Sequence, residues 1–212
     1  MGRVIRAVFL DAFGTLVELE PPWERLSALL GGTVGEERVK AAFLSEMAYY
    51  REHHMEGYDA ASLADLRRCC ATVLSEELGE TIDDATMMAA IRFRAYPDAR
   101  PALTELRGQG IYLHCVSNWD CSLTEVLERV ELAELLDGVT ASAIEGARKP
   151  DPAIFAGPLA ASGCKPEQAI HVGDSTEDLD GASAAGIPSL LIDRQGGGEI
   201  ASLTEIVEHL GK

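Results

Sequence analysis

Four short segments, in a fixed order along a chain of 212 residues, each carry side chains suited to phosphate or metal chemistry. Three directly follow an apolar run. Val4 to Leu10 leads into Asp11-Ala12-Phe13-Gly14-Thr15, Ile111 to Val116 into Ser117-Asn118, and Ala169 to Val172 into Gly173-Asp174-Ser175-Thr176-Glu177-Asp178. The other, Arg148-Lys149-Pro150-Asp151-Pro152, stands between the last two. Short apolar runs rich in β-branched residues read as buried strands. If the ends of these strands converge, a carboxylate, a hydroxyl, an ammonium and a pair of carboxylates meet at one place.

The rest of the chain fits that reading. Gly14-Thr15-Leu16 stops the first strand. From about Glu20 to Ala95 the texture is helical, with Trp23-Leu26-Leu29-Leu30, Val39-Ala42-Phe43-Met47 and Leu63-Leu66-Cys70-Val73-Leu74 at i, i+3, i+4 spacings. No strand is expected in this block, which Tyr96-Pro97-Asp98-Ala99-Arg100-Pro101 closes. Strands are expected at Ile111–Val116, Gly138–Ala141, Ala169–Val172 and Ser189–Ile192. Helices are expected at Ser122–Val130, Pro152–Ser162, Asp178–Ala185 and Leu203–Leu210. Gly196-Gly197-Gly198 reads as a flexible loop. Alternating strands and helices predict an α/β fold, a doubly wound parallel sheet, over residues 1–18 and 97–212, with an all-helical insert at 19–96. Such sheets bind ligands beyond the C-terminal ends of their strands, where the four segments lie.

Charge narrows the partners. The net charge is −17. An acidic surface repels nucleic acid and anionic membranes, so neither is an expected partner. It also repels anionic substrates unless a divalent cation sits in the site. No apolar stretch approaches the ~20 residues of a membrane span. The first residues run into the candidate strand without an apolar signal region. Five cysteines, an odd number with no zinc spacing, read as reduced thiols of a cytoplasmic protein. Cys69-Cys70 falls in a helical pattern and reads as core filling.

Each segment has a chemical reading. Asp11 after a buried strand can attack phosphorus or carbon and form a covalent intermediate. Gly14 allows a tight turn whose amides approach an anion. Ser117 can hold an oxygen of the reacting group, although a hydroxyl there equally suits a helix cap. Lys149, carried on a backbone stiffened by Pro150 and Pro152, would keep Asp11 ionised and neutralise transition-state charge. Asp174 and Asp178, four apart, suit magnesium, which takes oxygen ligands. Acidic residues are also simply favoured where a helix begins.

Together the four segments resemble the haloacid dehalogenase-like (HAD) hydrolase superfamily over most of the chain, in the subfamily with a helical cap inserted after the first motif. The resemblance implies a Rossmann-like core, a small helical cap and a hydrolase. It implies catalytic roles for Asp11, Thr15, Ser117 and Lys149, and substrate contacts from Gly14 and Asn118. It implies Mg2+ held by Asp11, the backbone carbonyl of Phe13, Asp174 and Asp178. The substrate would be a small phosphomonoester and the enzyme a monomer or homodimer.

One departure matters. Phosphatases of this superfamily carry Asp-x-Asp-x-Thr, and the second acid protonates the leaving alcohol and later activates water. Here that position is Phe13. General acid–base catalysis is worth ~10²–10⁴-fold in rate. Asp11-Ala12-Phe13-Gly14-Thr15-Leu16 looks instead like the 2-haloacid dehalogenase branch, whose leaving halide needs no proton. The metal-free dehalogenases of that type carry Ser-Asn rather than Gly-Asp in the region of Gly173-Asp174. Three readings follow: a Mg2+-dependent phosphohydrolase, a 2-haloacid dehalogenase-type hydrolase, or a weakly active phospho-ligand binding protein.

The helical block offers Tyr49-Tyr50-Arg51-Glu52-His53-His54 as its densest cluster of functional side chains. Arg51 can clamp an anion bidentately. His53 or His54 could replace the missing acid, as could Glu18 or Glu20. Adjacent His53 and His54 cannot both face one metal from a helix, so no second metal site is expected.

Overall fold

The computed structural model describes residues 4–32 and 34–210, so the first three residues of the expected core domain lie outside the described residues. The chain divides into two compact units, one of residues 1–18 and 95–212, the other of residues 19–94.

The first unit is built on a five-stranded sheet. Its strands are β1 (Ala7–Leu10), β4 (Tyr112–Ser117), β5 (Gly138–Ala141), β6 (Ala169–Gly173) and β7 (Ser189–Leu191), with β2 and β3 belonging to a separate pair described below. The spatial order is β5-β4-β1-β6-β7 and every pairing is parallel. β1 lies at the centre because all four of its residues are apolar and buried. A strand covered on both faces has no polar side to alternate. Val4, expected in this strand, is 70% exposed and precedes it.

Register explains why the motifs converge. Leu10 aligns with Cys115 on one side and Val172 on the other. The three chains therefore leave the sheet at one level, at Asp11, Val116-Ser117 and Gly173-Asp174. β4 and β5 extend the sheet to one side of β1, β6 and β7 to the other. Right-handed crossovers in opposite directions carry the connecting helices to opposite faces. This is the doubly wound α/β arrangement, with its switch point at the end of β1. Helix Ala99–Gly108 shows how the faces are covered, burying Ala99, Ala102, Leu103 and Leu106.

Boundaries differ from the sequence reading where local chemistry decides. The stretch expected as one helix from Pro152 is a 3₁₀ turn, Pro152–Phe155, followed by an α-helix, Ala156–Ser162. The helix expected from Asp178 begins at Thr176, because Ser175 forms a capping box with Asp178. The expected terminal α-helix is instead a 3₁₀ helix, Leu203–His209.

The helical unit contains Pro22–Leu29, Glu36–His53, Ala60–Leu78 and Asp84–Ala90. Asp59 and Ser62 close a capping box at the start of the third, and Gly79 ends it at φ 66°. Val39, Ala42 and Phe43 of the second helix and Leu63, Leu66, Cys70 and Leu74 of the third are buried, and the two helices pack together. Contrary to the expectation of no strand, a short pair exists where the chain leaves and returns. β2 (Val17–Leu19) pairs with β3 (Phe93–Ala95). Tyr96 N donates to Leu16 O on the core side, and Glu20 N to Arg92 O on the helical side. No described helix is long and apolar enough to cross a membrane. None of the five cysteines forms a disulfide.

Candidate active site

The turn after β1 is set by its own backbone. The Ala12 carbonyl accepts from the amides of Thr15, Leu16 and Val17, and Gly14 N donates to Val17 O at 2.9 Å. Gly14 takes φ 81°, open to glycine at no steric cost. A methyl group there would also overlap the carboxylate of Asp174. The turn and the end of β6 therefore approach closely because residue 14 has no side chain. Phe13 is half-buried in this turn, bridging to Val17, and is not packed into the core. Thr15 is fully buried, and its hydroxyl has no hydrogen-bond partner among the described residues.

Lys149 is the hub. Its ammonium donates to Asp11 Oδ1 at 2.6 Å, Asp178 Oδ1 at 2.5 Å and the Val116 carbonyl at 3.0 Å. Three N–H groups thus meet three acceptors. Lys149 is only 2% exposed, withdrawn from solvent rather than solvated on the surface. Ser117 Oγ donates to the same Asp11 oxygen at 2.8 Å.

Asp178 is more tightly held than Asp11. One carboxylate oxygen accepts from Lys149 and from His171 Nε2 at 2.8 Å. The other accepts from Ser175 Oγ at 2.6 Å and Ser175 N at 3.2 Å. Room for this carboxylate comes from Gly173, where any Cβ would overlap it.

The electrostatics follow from these partners. Burial pushes the Asp11 carboxyl up, Lys149 opposes it, and the charges of Asp178 and Asp174 add to the rise, so that it titrates at about 6. Asp178 is buried too, but Lys149 and His171 overcome burial and hold it well below the usual carboxylate range. Burial alone would lower Lys149, yet the two carboxylates raise it above its ordinary value. The ammonium is shared, and Asp178 keeps the larger benefit because it has the additional donors.

Asp174 is exposed, at the mouth of the site. Asp11, Asp174 and Asp178 can bring carboxylate oxygens within 4.8 Å of one another. Lys149 bonds two of these three carboxylates, and a cluster so rich in acidic oxygens suits a divalent cation.

Asn118 does not point its amide at an open space. Its Nδ2 donates to the Lys149 carbonyl at 3.0 Å and to Glu177 Oε2 at 3.1 Å, and its Oδ1 accepts from Lys149 N at 2.8 Å. Arg194, which the sequence did not single out, donates to the Thr15 carbonyl at 2.6 Å and to Asp98 at 2.5 Å, and stacks over Tyr96. No local pattern announces it. His171 did leave a signal, as the one polar residue inside Ala169 to Val172.

In the helical unit, Arg51 is exposed at the end of Glu36–His53. His53 is engaged by Glu56 at 2.7 Å and stacks on Tyr49. His54 is buried and bonds the Arg51 carbonyl at 2.9 Å. Glu20 pairs with Arg25 at 2.8 Å. In the core unit, Glu18 is half-buried on β2.

Comparison with known proteins agrees with this geometry. Residues 5–186 match the family model of the haloacid dehalogenase-like hydrolases. A phosphoglycolate phosphatase of Rhodospirillum rubrum is 32% identical over 200 residues, covering 88% of this chain and 79% of that protein. The chain spans about half the length of other curated relatives, 48% and 49% in two of them. A HAD phosphatase from Thermococcus onnurineus superposes with a TM-score of 0.67 at 25% identity, covering 98% of both chains. L-2-haloacid dehalogenase from Xanthobacter autotrophicus also gives 0.67, at 22% identity over 90% of this chain and 78% of that one. Fold similarity alone therefore does not choose between the two chemistries.

Proposed function

Because the chain belongs to the haloacid dehalogenase-like hydrolases, we propose that it hydrolyses small phosphomonoesters with Mg2+ through an aspartyl-phosphate on Asp11. The observation that carries this reading is the carboxylate cluster of Asp11, Asp174 and Asp178. Three carboxylates that can bring hard oxygen donors close together suit Mg2+. Asp11, Asp174 and the Phe13 carbonyl would hold the ion. Asp178, whose oxygens already accept four hydrogen bonds, supports Lys149 beside it. When bound, the ion would neutralise phosphate charge and orient the phosphoryl group.

The chain's own residues supply the rest. Ser117 and Lys149 both engage Asp11 Oδ1, which leaves Oδ2 to attack. An Oδ2–phosphorus bond forms as the bond from phosphorus to the leaving oxygen breaks. Lys149 and Ser117 then stand beside the transferring group, where fixed donors stabilise developing charge without reorganising. Gly14, with no side chain, lets the turn amides reach the phosphoryl oxygens. Water attack on phosphorus regenerates Asp11 and releases phosphate. Phe13 donates no proton, so esters of acidic alcohols should react best. Asn118 acts by fixing the Lys149 main chain, and Arg51 is the candidate clamp for a remote anionic group of the substrate. The helical unit serves as the cap, and the enzyme acts in the cytoplasm as a monomer or homodimer.

Phe13 favours a second reading, a metal-independent 2-haloacid dehalogenase with an alkyl ester on Asp11. Gly173 speaks against it, since the Ser of that branch would overlap the Asp178 carboxylate. A weakly active phospho-ligand binding protein is the third.

The test is phosphate release from 4-nitrophenyl phosphate, with Mg2+ and with chelator, alongside Asp11→Asn. Mg2+-dependent release that Asp11→Asn abolishes supports the phosphohydrolase. Halide release from 2-haloacids unaffected by chelator overturns it in favour of the dehalogenase. Saturable binding of phosphate without turnover overturns it in favour of the binding protein.

A further inference from the structure

His171 occupies a position that an apolar residue would fill at less cost. It lies in β6, in register with Phe9 of the central strand, and its side chain is fully buried. Its ring meets Phe155 edge-on at 5.0 Å. Burying an imidazole here costs free energy unless its polar atoms are used.

Only one of them is. Nε2 lies 2.8 Å from Asp178 Oδ1, whereas Nδ1 is buried without a partner. An ionised carboxylate only accepts, so the hydrogen of this bond belongs to Nε2. A second hydrogen, on Nδ1, would be a buried donor facing no acceptor. The bonding pattern therefore assigns the Nε2–H tautomer.

The acceptor of that hydrogen is the oxygen that also receives the Lys149 ammonium. Four side chains consequently stand in a row, His171, Asp178, Lys149 and Asp11, linked at 2.8, 2.5 and 2.6 Å. Without His171, Lys149 would be the sole donor to Asp178 Oδ1. The full attraction of that oxygen would then fall on the ammonium, and draw it from Asp11.

We propose that His171 is a positioning residue, whose Nε2–H shares Asp178 Oδ1 with Lys149 and so keeps the ammonium placed on the nucleophile Asp11. The inference deepens the phosphohydrolase reading and rests on its assignment of Asp11 as nucleophile. It assigns His171 no contact with substrate.

Two measurements test it, and the first needs no activity. Imidazole ¹⁵N spectra of the wild type, assigned with His171→Gln, should show His171 protonated at Nε2 and bare at Nδ1, with the Nε2–H signal displaced in Asp178→Asn. A proton on Nδ1, or an Nε2 signal indifferent to Asp178→Asn, overturns the proposal. The second is kinetics on 4-nitrophenyl phosphate with Mg2+. His171→Leu should lower kcat about 10- to 100-fold, the worth of one hydrogen bond to a charged group, with KM changed less than about threefold. His171→Gln, whose amide nitrogen reaches the place of Nε2, should recover most of kcat. An unchanged kcat in His171→Leu, or an equal loss in both variants at equal melting temperature, overturns it. If His171→Leu does not fold, the wild-type spectra still decide. If the wild type releases no phosphate, the phosphohydrolase reading fails, and the spectra decide the His171 contact separately.

Discussion

Asn118 holds Lys149 by its main chain, donating to the carbonyl at 3.0 Å and accepting from the amide at 2.8 Å, while the lysine's ammonium serves Asp11. The end of β4 therefore carries two kinds of control over Asp11, one direct through Ser117 and one through the loop that bears Lys149. Asn118→Ala removes both bonds to the Lys149 main chain, worth roughly 1 kcal/mol each, together with an exposed one to Glu177 that adds little. The expected outcome is a loss of about 2 kcal/mol in stability and a fall of about tenfold in kcat, with Mg2+ activation retained. Urea unfolding and steady-state kinetics read both. Asn118→Asp keeps the acceptor and should lie between wild type and Asn118→Ala.

Removing the ammonium exposes what it compensates. In Lys149→Met, Asp11 and Asp178 remain buried with no cation between them. Breaking a buried pair in this way costs about 3–5 kcal/mol at neutral pH. The sign of the pH dependence reverses for Asp178, which Lys149 holds low in the wild type, and the rise already present at Asp11 grows. A carboxyl raised above its unfolded value stabilises the fold most when protonated, and loses that contribution as pH rises through the raised value. Asp11 already titrates at about 6 with Lys149 present, and without it the rise is larger. Lys149→Met should accordingly be most stable near pH 5 and weaken toward pH 8. Adding Asp178→Asn should restore part of the loss at pH 8. Denaturant midpoints at both pH values decide; a variant equally stable at pH 5 and 8 contradicts the account.

Gly173 has no room for a side chain. A side chain at this position overlaps the Asp178 carboxylate, which accepts the ammonium of Lys149. Gly173→Ser therefore forces Asp178 out of its place. Overpacking of this kind costs about 1–3 kcal/mol. Phosphate release should fall at least about tenfold as Lys149 loses one of its acceptors, and melting temperature with it. A fully active Gly173→Ser enzyme would mean that Asp178 does not need its present position.

The sequence displayed the strands best where burial left no choice. β1 is apolar on both faces, and β6 is buried throughout with His171 as its one polar side chain, so both read as short buried strands. β2 and β3 escaped because each is three residues long and finds its partner only when the chain returns. Leu203–His209 was read as α-helix because Leu203 and Ile206 bury at a spacing of three, which a 3₁₀ helix uses as well. In the helical unit Glu46, not Met47, takes a buried place after Phe43, since spacings of three and four both fit one face. The residues that the structure brings together around Lys149 were visible as motifs at strand ends. What holds them was not. Asn118 and Lys149 are 31 positions apart, Arg194 and Thr15 are 179 apart, and no local pattern encodes a bond across such distances.

Arg194 supplies the last prediction. It ties the Thr15 carbonyl of the first motif to Asp98, just beyond β3, and Asp98 also accepts from Ser202 Oγ and Leu203 N, each at 2.8 Å. Burial would raise the Asp98 carboxyl, but Arg194 and the two other donors win and hold it below its ordinary value of 3.8. A depressed carboxyl contributes stability that is present above the unfolded value and is lost as pH falls below it. Asp98→Asn should therefore cost about 1.5–3 kcal/mol at pH 7, the worth of hydrogen bonds to a charged group. The gap between wild type and variant should narrow below about pH 4, where the wild type begins to lose the same contribution. Arg194→Met should cost less stability but more activity, because the Thr15 carbonyl loses its donor and the turn that carries Asp11 loosens. Melting curves at pH 7 and pH 3.5, with kinetics at pH 7, separate the two. A gap that stays constant with pH would show that Asp98 acts through packing rather than through its charge.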